Sequence, residues 1–516
     1  MPRQEAIRNR FDASRRRAGV AMISPRALIG CLAIVSLASL ANAGDGQRND
    51  TADIGEGPVI ATHTSEADCE SGRLSLADII ERGRQLFVAK FNSFDGQGRP
   101  AATGNGVPTK RLHGPDLGFT RVSSPEANSC AGCHNDPRTG GAGDFVANVF
   151  VLAQVRDPAT ESVNGEFSDE RNTLGIMGSG PLEMVAREMT VDLRAIRDEA
   201  RTTAARQGTS VTRELATKGV SFGRITARPD GQFDTNDVHG VNTDLIVRPF
   251  HQKGVVVSLR EFTINAYNHH HGMEAMERFG RARTGTDDFD EDGVPDELTV
   301  GDITAATIYQ ATLNTPGQVI PQGKAEAIRK GSATFGTIGC AACHKPSLIL
   351  NSPFFTEPNP FNPPGNLRPQ DVSQIVTFDL TREGQIPRPE RLPDGRVVIR
   401  AYTDLKRHDL CDAEINRFCN EKLVQNFVST REFLTRKLWD VGNSAPYGHR
   451  GDMTTITEAI LAHGGEGRAS RDAFAGLPKQ SRDELVEFLK SLQVLPEGTT
   501  TLVVNEEAPG AKPESQ

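Results

Sequence analysis

Two pentads, Cys130-Ala-Gly-Cys133-His134 and Cys340-Ala-Ala-Cys343-His344, repeat the pattern C-x-x-C-H. Two thiols three residues apart can form thioethers with the two vinyl groups of one porphyrin, and the histidine that follows is placed to bind its iron from the proximal side. Each pentad therefore predicts one covalently attached c-type haem. With 8 Cys and 12 His in 516 residues, two such pentads are not an accident of composition. The competing reading is a pair of Cys-x-x-Cys redox or zinc motifs, each followed by an idle histidine.

A chain of 516 residues is too long for one ordinary core and predicts two or three domains. A net charge of −9 argues against nucleic-acid binding, which normally shows a basic stripe. An acidic surface serves solubility, or steers a small basic electron-transfer protein as donor or acceptor. At the N-terminus Arg15-Arg16-Arg17 and Arg26 precede an apolar run from Ala27 to Leu40, then Ala41-Asn42-Ala43. This predicts a secretory signal peptide over residues 1–43, with Met22 as an alternative start, and a periplasmic location for the mature protein. The run is too short for a stable membrane span. With Cys31 removed and four cysteines in the pentads, Cys69, Cys411 and Cys419 remain. Cys411 with Cys419 closes the shortest loop, although spacing alone leaves the connectivity open.

The elements that must position the pentads show as helical periodicity. Leu76, Ile79, Ile80 and Leu86 predict a helix before the first pentad, and Ala325, Ile328 and Phe335 one before the second. Ser481-Arg-Asp-Glu484 reads as a capping box that opens a helix burying Leu485, Phe488, Leu489 and Leu492. Asp302 starts another helix through Ile303, Ala306, Tyr309 and Leu313. Pro and Gly clusters at 351–369 and 385–395 read as long surface loops, and Val220 to Glu261 leaves room for some strand. The fold expected is mainly α, two cytochrome c-like haem domains with long loops and little β. The N-terminal haem domain, with inserted segments, would cover 44–300 and the C-terminal one 301–497. Residues 498–516 read as a disordered tail.

The stretch Ala445-Pro446-Tyr447-Gly448-His449-Arg450-Gly451 resembles the Ala-Pro-Tyr-x-His-x-Gly signature of the bacterial di-haem cytochrome c peroxidase superfamily. Arg171-Asn172-Thr173 and Tyr402-Thr-Asp-Leu-Lys-Arg-His408-Asp are similar to its thiol-oxidoreductase-like di-haem oxidoreductase branch. In that superfamily the residue fourteen positions after the signature histidine is the sixth ligand of the C-terminal haem, which here is His463. Thr455-Ile-Thr-Glu458 is a capping box before it, and Ile456, Ile460 and His463 share a helical face. The resemblance thus implies a bis-histidine haem on His344, with a potential below that of a Met-ligated one. A histidine satisfied on a partly buried helix face is the plain alternative.

The resemblance also implies a distal histidine soon after the first pentad, yet none occurs between His134 and His239. The haem of His134 is therefore expected to be open to peroxide or another small oxidant, with His113 as a rival ligand. The bridging Trp of the peroxidases is not found after Arg171-Asn172-Thr173, since Trp439 is the only one in the chain. Glu183 is a candidate distal acid–base group, because cleaving a bound peroxide requires a proton to be relocated. A solvated Glu at a helix start is the alternative. In His269-His270-His271 one or two rings, His271 foremost, could line a distal pocket; three adjacent imidazoles cannot share one face.

Asp288-Phe-Asp290-Glu-Asp292-Gly293-Val-Pro-Asp296 follows the first nine positions of a calcium loop, with Asp288, Asp290, Asp292 and Asp296 as oxygen donors. Thr299 stands where a bidentate Glu is expected, which weakens calcium binding; an acidic turn is the alternative. The function expected is a periplasmic di-haem oxidoreductase in which electrons pass from the C-terminal haem to an open N-terminal haem that reduces peroxide. The alternative is a pure electron-transfer cytochrome with both haems six-coordinate.

Overall fold

Serine starts the helix that leads to the first pentad. Ser75 Oγ accepts from Asp78 N at 3.2 Å and Asp78 Oδ2 accepts from Ser75 N at 3.1 Å, a reciprocal box that opens α1, Leu76–Val88. Its Ile79, Leu86 and Phe87 turn inward. The computed structural model describes residues 55–97, 127–144 and 170–507, with the backbone of the short strands Ala102–Thr103, Thr109–Lys110, Val146–Val149 and the start of Asp169–Asn172. The expected signal peptide, His113 and residues 508–516 lie outside the described residues.

The helices used below follow in chain order: α2 is Ser179–Gln207, α3 Leu259–Ala266 and α4 Val300–Ala311, then α5 Ala325–Thr337, α6 Ile456–Leu461 and α7 Lys479–Ser491. Asp302 does not begin α4. It is the third residue of the helix and closes a capping box with Thr299, whose hydroxyl accepts from Asp302 N at 3.1 Å. Likewise α7 starts at Lys479 behind Pro478, ahead of the Ser481–Glu484 box read from the sequence, while Leu485, Phe488 and Leu489 are buried as expected.

The two pentad helices are packed by one device. In α1, a Cβ on Gly83 would lie 2.0 Å from the Ala305 carbonyl oxygen of α4; in α5, one on Gly331 would lie 2.0 Å from the Glu484 carbonyl oxygen of α7. Glycine is what allows each pair of backbones to touch. The helix α4, which a boundary at residue 301 would assign to the C-terminal half, thus packs on the N-terminal pentad helix. The described residues belong to one compact unit.

The expectation of a mainly α chain with little β is corrected. Helix accounts for 35% of residues and strand for 16%, in several small sheets. Val211–Thr217 and Val220–Ala227 form a hairpin across Lys218 and Gly219, whose positive φ values of 49° and 75° make the primed two-residue turn. The supposed loop 351–369 contains Phe354–Glu357, paired with Val376–Asp379, and 385–395 supplies Glu390–Arg391 to a sheet with Val397–Ile399 and Leu348–Leu350. Strands of two to four residues between Pro and Gly are too short to register as alternation. The tail is corrected too: Val503–Asn505 pairs in parallel with Gly317–Ile320, whose other edge takes Leu492–Gln493.

Candidate functional site

Both pentads are turned in the same way. Cys130–Cys133 is a single helical turn and Cys340–Ala342 a 3-10 turn, and in each the histidine amide donates back to the first cysteine carbonyl at 3.0 Å, His134 to Cys130 and His344 to Cys340. Each group lines its own large cavity, of about 1420 Å³ for the first and 1650 Å³ for the second counted out to the open mouth. Burial pushes the Cys130 thiol up to about 12 and the Cys340 thiol up to about 11.

In the C-terminal cavity, His344 Nδ1 lies 3.1 Å from the carbonyl oxygens of both Tyr402 and Arg436, and His463 Nδ1 lies 2.8 Å from the Ala459 carbonyl oxygen. A ring nitrogen that donates to a carbonyl leaves Nε2 unprotonated and available to a metal. The two ring centroids are 6.4 Å apart, with an interplanar angle of 65°. Metal–imidazole bonds of about 2.0 Å on opposite faces of one ion place ring centroids roughly 6.3 Å apart. The residues present therefore fit a bis-histidine iron. Burial lowers the protonation pKa of both rings, to about 4 for His344, so both are neutral at physiological pH.

His449 and His408 also line this cavity. His449 stacks on Phe433 at 4.6 Å and stands 3.2 Å from Glu421 Oε1; burial first, then Arg171, Arg450 and Lys253, drive its pKa down to about 2. Glu421 also takes the Arg171 guanidinium bidentately, at 2.6 and 2.7 Å. Asn172 N donates to the His449 carbonyl at 2.9 Å and Asn172 Nδ2 to the Pro446 carbonyl at 2.5 Å. The two segments on which the resemblance rests thus meet in space. His408 lies between Asp404 at 2.9 Å and Glu466 at 2.8 Å; burial opposes its charge, but Asp404 and then the Cys343 sulfur prevail and hold its pKa up at about 11.

In the N-terminal cavity the ring beside His134 is Phe87, with centroids 6.3 Å apart, and burial lowers the His134 pKa to about 4. The run Tyr267–His271 is a π-helical turn that continues α3 and brings His270 and His271 to the cavity wall. His271 Nδ1 is 2.5 Å from the Ala127 carbonyl oxygen and its Nε2 is 3.3 Å from Cys130 Sγ, with burial holding its pKa near 4. His251, Gln252 and Gln310 line the same space, and no sequence spacing pointed to them.

Glu183 is elsewhere. It is fully buried, paired with Arg187, and accepts from Leu259 N and Asn359 Nδ2, both at 2.8 Å. It does not line the cavity. The acid–base role is replaced by a structural one: a buried carboxylate at a helix start neutralised by the cation one turn on. The disulfide Cys411–Cys419 is present.

The acidic loop is gathered, with different members from those expected. Oxygens of Asp288, Asp290 and Asp292 lie within 4.8 Å of one another, and so do those of Glu274, Asp290 and Glu297. Gly293 N donates to Asp288 Oδ2 at 3.1 Å, closing the sharp turn. Thr299, at the expected twelfth position, is occupied in capping α4, and Asp296 is in neither group. Glu274 and Glu297 take their place. Burial, then the neighbouring aspartates, raise Glu274 to about 9 and Asp290 to about 7, and Glu274 Oε1 has no hydrogen-bond partner. Such a set is what a divalent cation would neutralise.

No helix among the described residues is long and apolar enough to cross a membrane. No curated protein matches the chain. Among solved structures, the chain is similar to the hydrazine synthase of Kuenenia stuttgartiensis, pressurised with xenon, at 15% identity over 89% of this chain and 100% of that one, with a TM-score of 0.31. It is also similar to a MauG-like protein associated with microbial copper homeostasis, at 16% identity over 52% of this chain and 76% of that one, with a TM-score of 0.25. Residues 394–492, the segment holding His408, His449 and His463, match the family model described as Di-haem oxidoreductase, putative peroxidase.

Proposed function

We propose that the protein is a periplasmic di-haem c-type oxidoreductase, exported by an N-terminal signal, that takes electrons from a small redox protein and reduces peroxide at its N-terminal haem. Cys130 and Cys133 would tether one haem with His134 on its iron, and Cys340 and Cys343 the other with His344 and His463. The haems supply one-electron redox chemistry at iron, and the net reaction consumes two electrons and two protons per hydrogen peroxide to yield two waters.

The observation that carries this reading is the His344–His463 pair, 6.4 Å apart with both Nδ1 atoms on carbonyls. Carbonyl-bound Nδ1 fixes each ring's tautomer and raises its basicity as a ligand. A bis-histidine centre suits electron relay, since both iron faces are taken. Around His134 the chain provides Phe87 at 6.3 Å and, across the cavity wall, the neutral His271. A neutral imidazole can take up a proton and return it, which Glu183, locked to Arg187, cannot do. The carboxylates of Asp288, Asp290, Asp292, Glu274 and Glu297 would hold calcium, and chelation is expected to lower the thermal stability of the His270–His271 segment joined to Glu274.

Electron paramagnetic resonance of the oxidised protein, with carbon monoxide binding to the reduced protein, tests the assignment. One low-spin and one high-spin haem, carbon monoxide bound to one iron per chain and peroxide turnover are expected. Two low-spin haems that refuse carbon monoxide in every redox state would overturn the catalytic reading in favour of pure electron transfer.

A further inference from the structure

Only one layer of chain separates the two cavities: the segments Asn172–Leu174 and Leu434–Lys437 line both. Two of the residues in that layer are cations. Lys437, with an 8% exposed side chain, and Arg436, at 30%, share a single counter-ion, Asp440, at 3.5 and 3.7 Å. Asp440 is itself 2% exposed and makes no hydrogen bond through either oxygen. The Lys437 amine donates to a neutral group, the Met177 carbonyl, at 3.1 Å. The other guanidinium near the wall, Arg171, is already committed to Glu421. The layer therefore sets two basic side chains against one carboxylate, with the Trp439 ring 5.4 Å from the Lys437 amine, and both basic residues line both cavities. A buried charge without a partner is costly, so the layer is built to receive anions from those cavities.

We propose that Arg436 and Lys437 form a shared carboxylate clamp, taking a propionate of the N-terminal haem from one side and of the C-terminal haem from the other. The clamp rests on the di-haem reading above and adds to it a recognition site for the acidic edge of each porphyrin. Thioether formation fixes the vinyl edge of a c-type haem and leaves its two carboxylates to find cations elsewhere; guanidinium and ammonium groups are the side chains that bind carboxylates with charge assistance. Arg436 has a second tie to the C-terminal site, since its carbonyl oxygen lies 3.1 Å from His344 Nδ1. The same residue thus touches the proximal ligand through its backbone and lines both cavities. Arg436 and Lys437 are positioning residues here, and their effect reaches the irons through the propionates.

Spectroelectrochemical titration of the full holoprotein reads the clamp directly. The ferrous state carries one more electron than the ferric, so a nearby cation favours it. In R436Q and in K437Q the ferrous-to-ferric equilibrium is expected to fall about tenfold, a drop of about 59 mV for a one-electron couple, at both haems. The charge-preserving K437R is expected to keep the wild-type midpoints. In the wild type, resonance Raman bands of the propionates on both haems are expected to shift in D2O, because the donors facing them exchange. Midpoints unchanged in both glutamine variants, a shift confined to one haem, or propionate bands insensitive to D2O would each overturn the shared clamp. A haem count below two in the wild type would instead overturn the di-haem reading beneath it.

Discussion

At the C-terminal pocket an imidazole, His463, stands across from the pentad histidine at 6.4 Å, each ring held by a backbone carbonyl. At the N-terminal pocket the ring beside His134 is Phe87, and His271 turns its Nε2 onto Cys130 Sγ at 3.3 Å. The pentads themselves barely differ: both close with the same amide bond of 3.0 Å from histidine to first cysteine. What differs is the far wall of each cavity, built from segments remote in sequence. On the function proposed, attachment would be a local property of five residues, whereas the division into a relay centre and a reactive centre would belong to the tertiary structure.

The largest break in that comparison is removal of one tether. Cys130→Ala with Cys133→Ala is expected to halve the haem content, leaving one low-spin, histidine-ligated haem; Cys340→Ala with Cys343→Ala should leave the carbon monoxide-binding one. Mass spectrometry and the pyridine haemochrome spectrum read both. Next, His463→Met should raise the midpoint of the C-terminal haem by about 0.1 V or more, within the roughly 0.8 V that axial ligands span, with the N-terminal midpoint unmoved. An unchanged visible spectrum would remove His463 from the iron.

Glu183→Gln sharpens the assignment of the N-terminal pocket. It strands Arg187 in the interior and should cost about 3–5 kcal/mol in urea unfolding, while peroxide turnover per folded molecule is retained. A loss of turnover without a loss of stability would restore Glu183 to the chemistry. The smallest effect is one of pH. His63, hydrogen-bonded to Asp302 at 2.6 Å on α4, has its pKa raised above 6.5 by that bond. The stability it contributes is fully present below its unfolded pKa, near 6.5, and is lost as pH rises through the higher folded value. His63→Gln should flatten the melting temperature between pH 6 and 8, and the N-terminal haem band should report it more strongly than the C-terminal one.

The helices before the pentads and the Cys411–Cys419 bridge were legible because each is a short-range pattern, a periodicity or a small loop, whereas His463 was reached only through the family resemblance. Glu183 misled because a carboxylate beside a conspicuous motif carries no mark of where its charge is answered, and Arg187 answers it one turn later. Asp296 fitted a loop template whose last ligand, Thr299, the next helix takes as its cap. Glu274 and Glu297 could be found only once the chain had folded them onto Asp290. The many short strands were missed for the same reason: a pair such as Phe354–Glu357 with Val376–Asp379 is stabilised by its partner and carries little pattern of its own.

The glycine contacts at Gly83 and Gly331 have a bearing on assembly. Each pentad helix is completed by a partner made much later, α4 beginning at Val300 and α7 at Lys479. Such distant closure carries a long-loop entropy and slows folding. It also leaves each Cys-x-x-Cys turn uncovered while the intervening chain emerges, and on the function proposed that interval would let a ligation enzyme reach the thiols before the helices close over them.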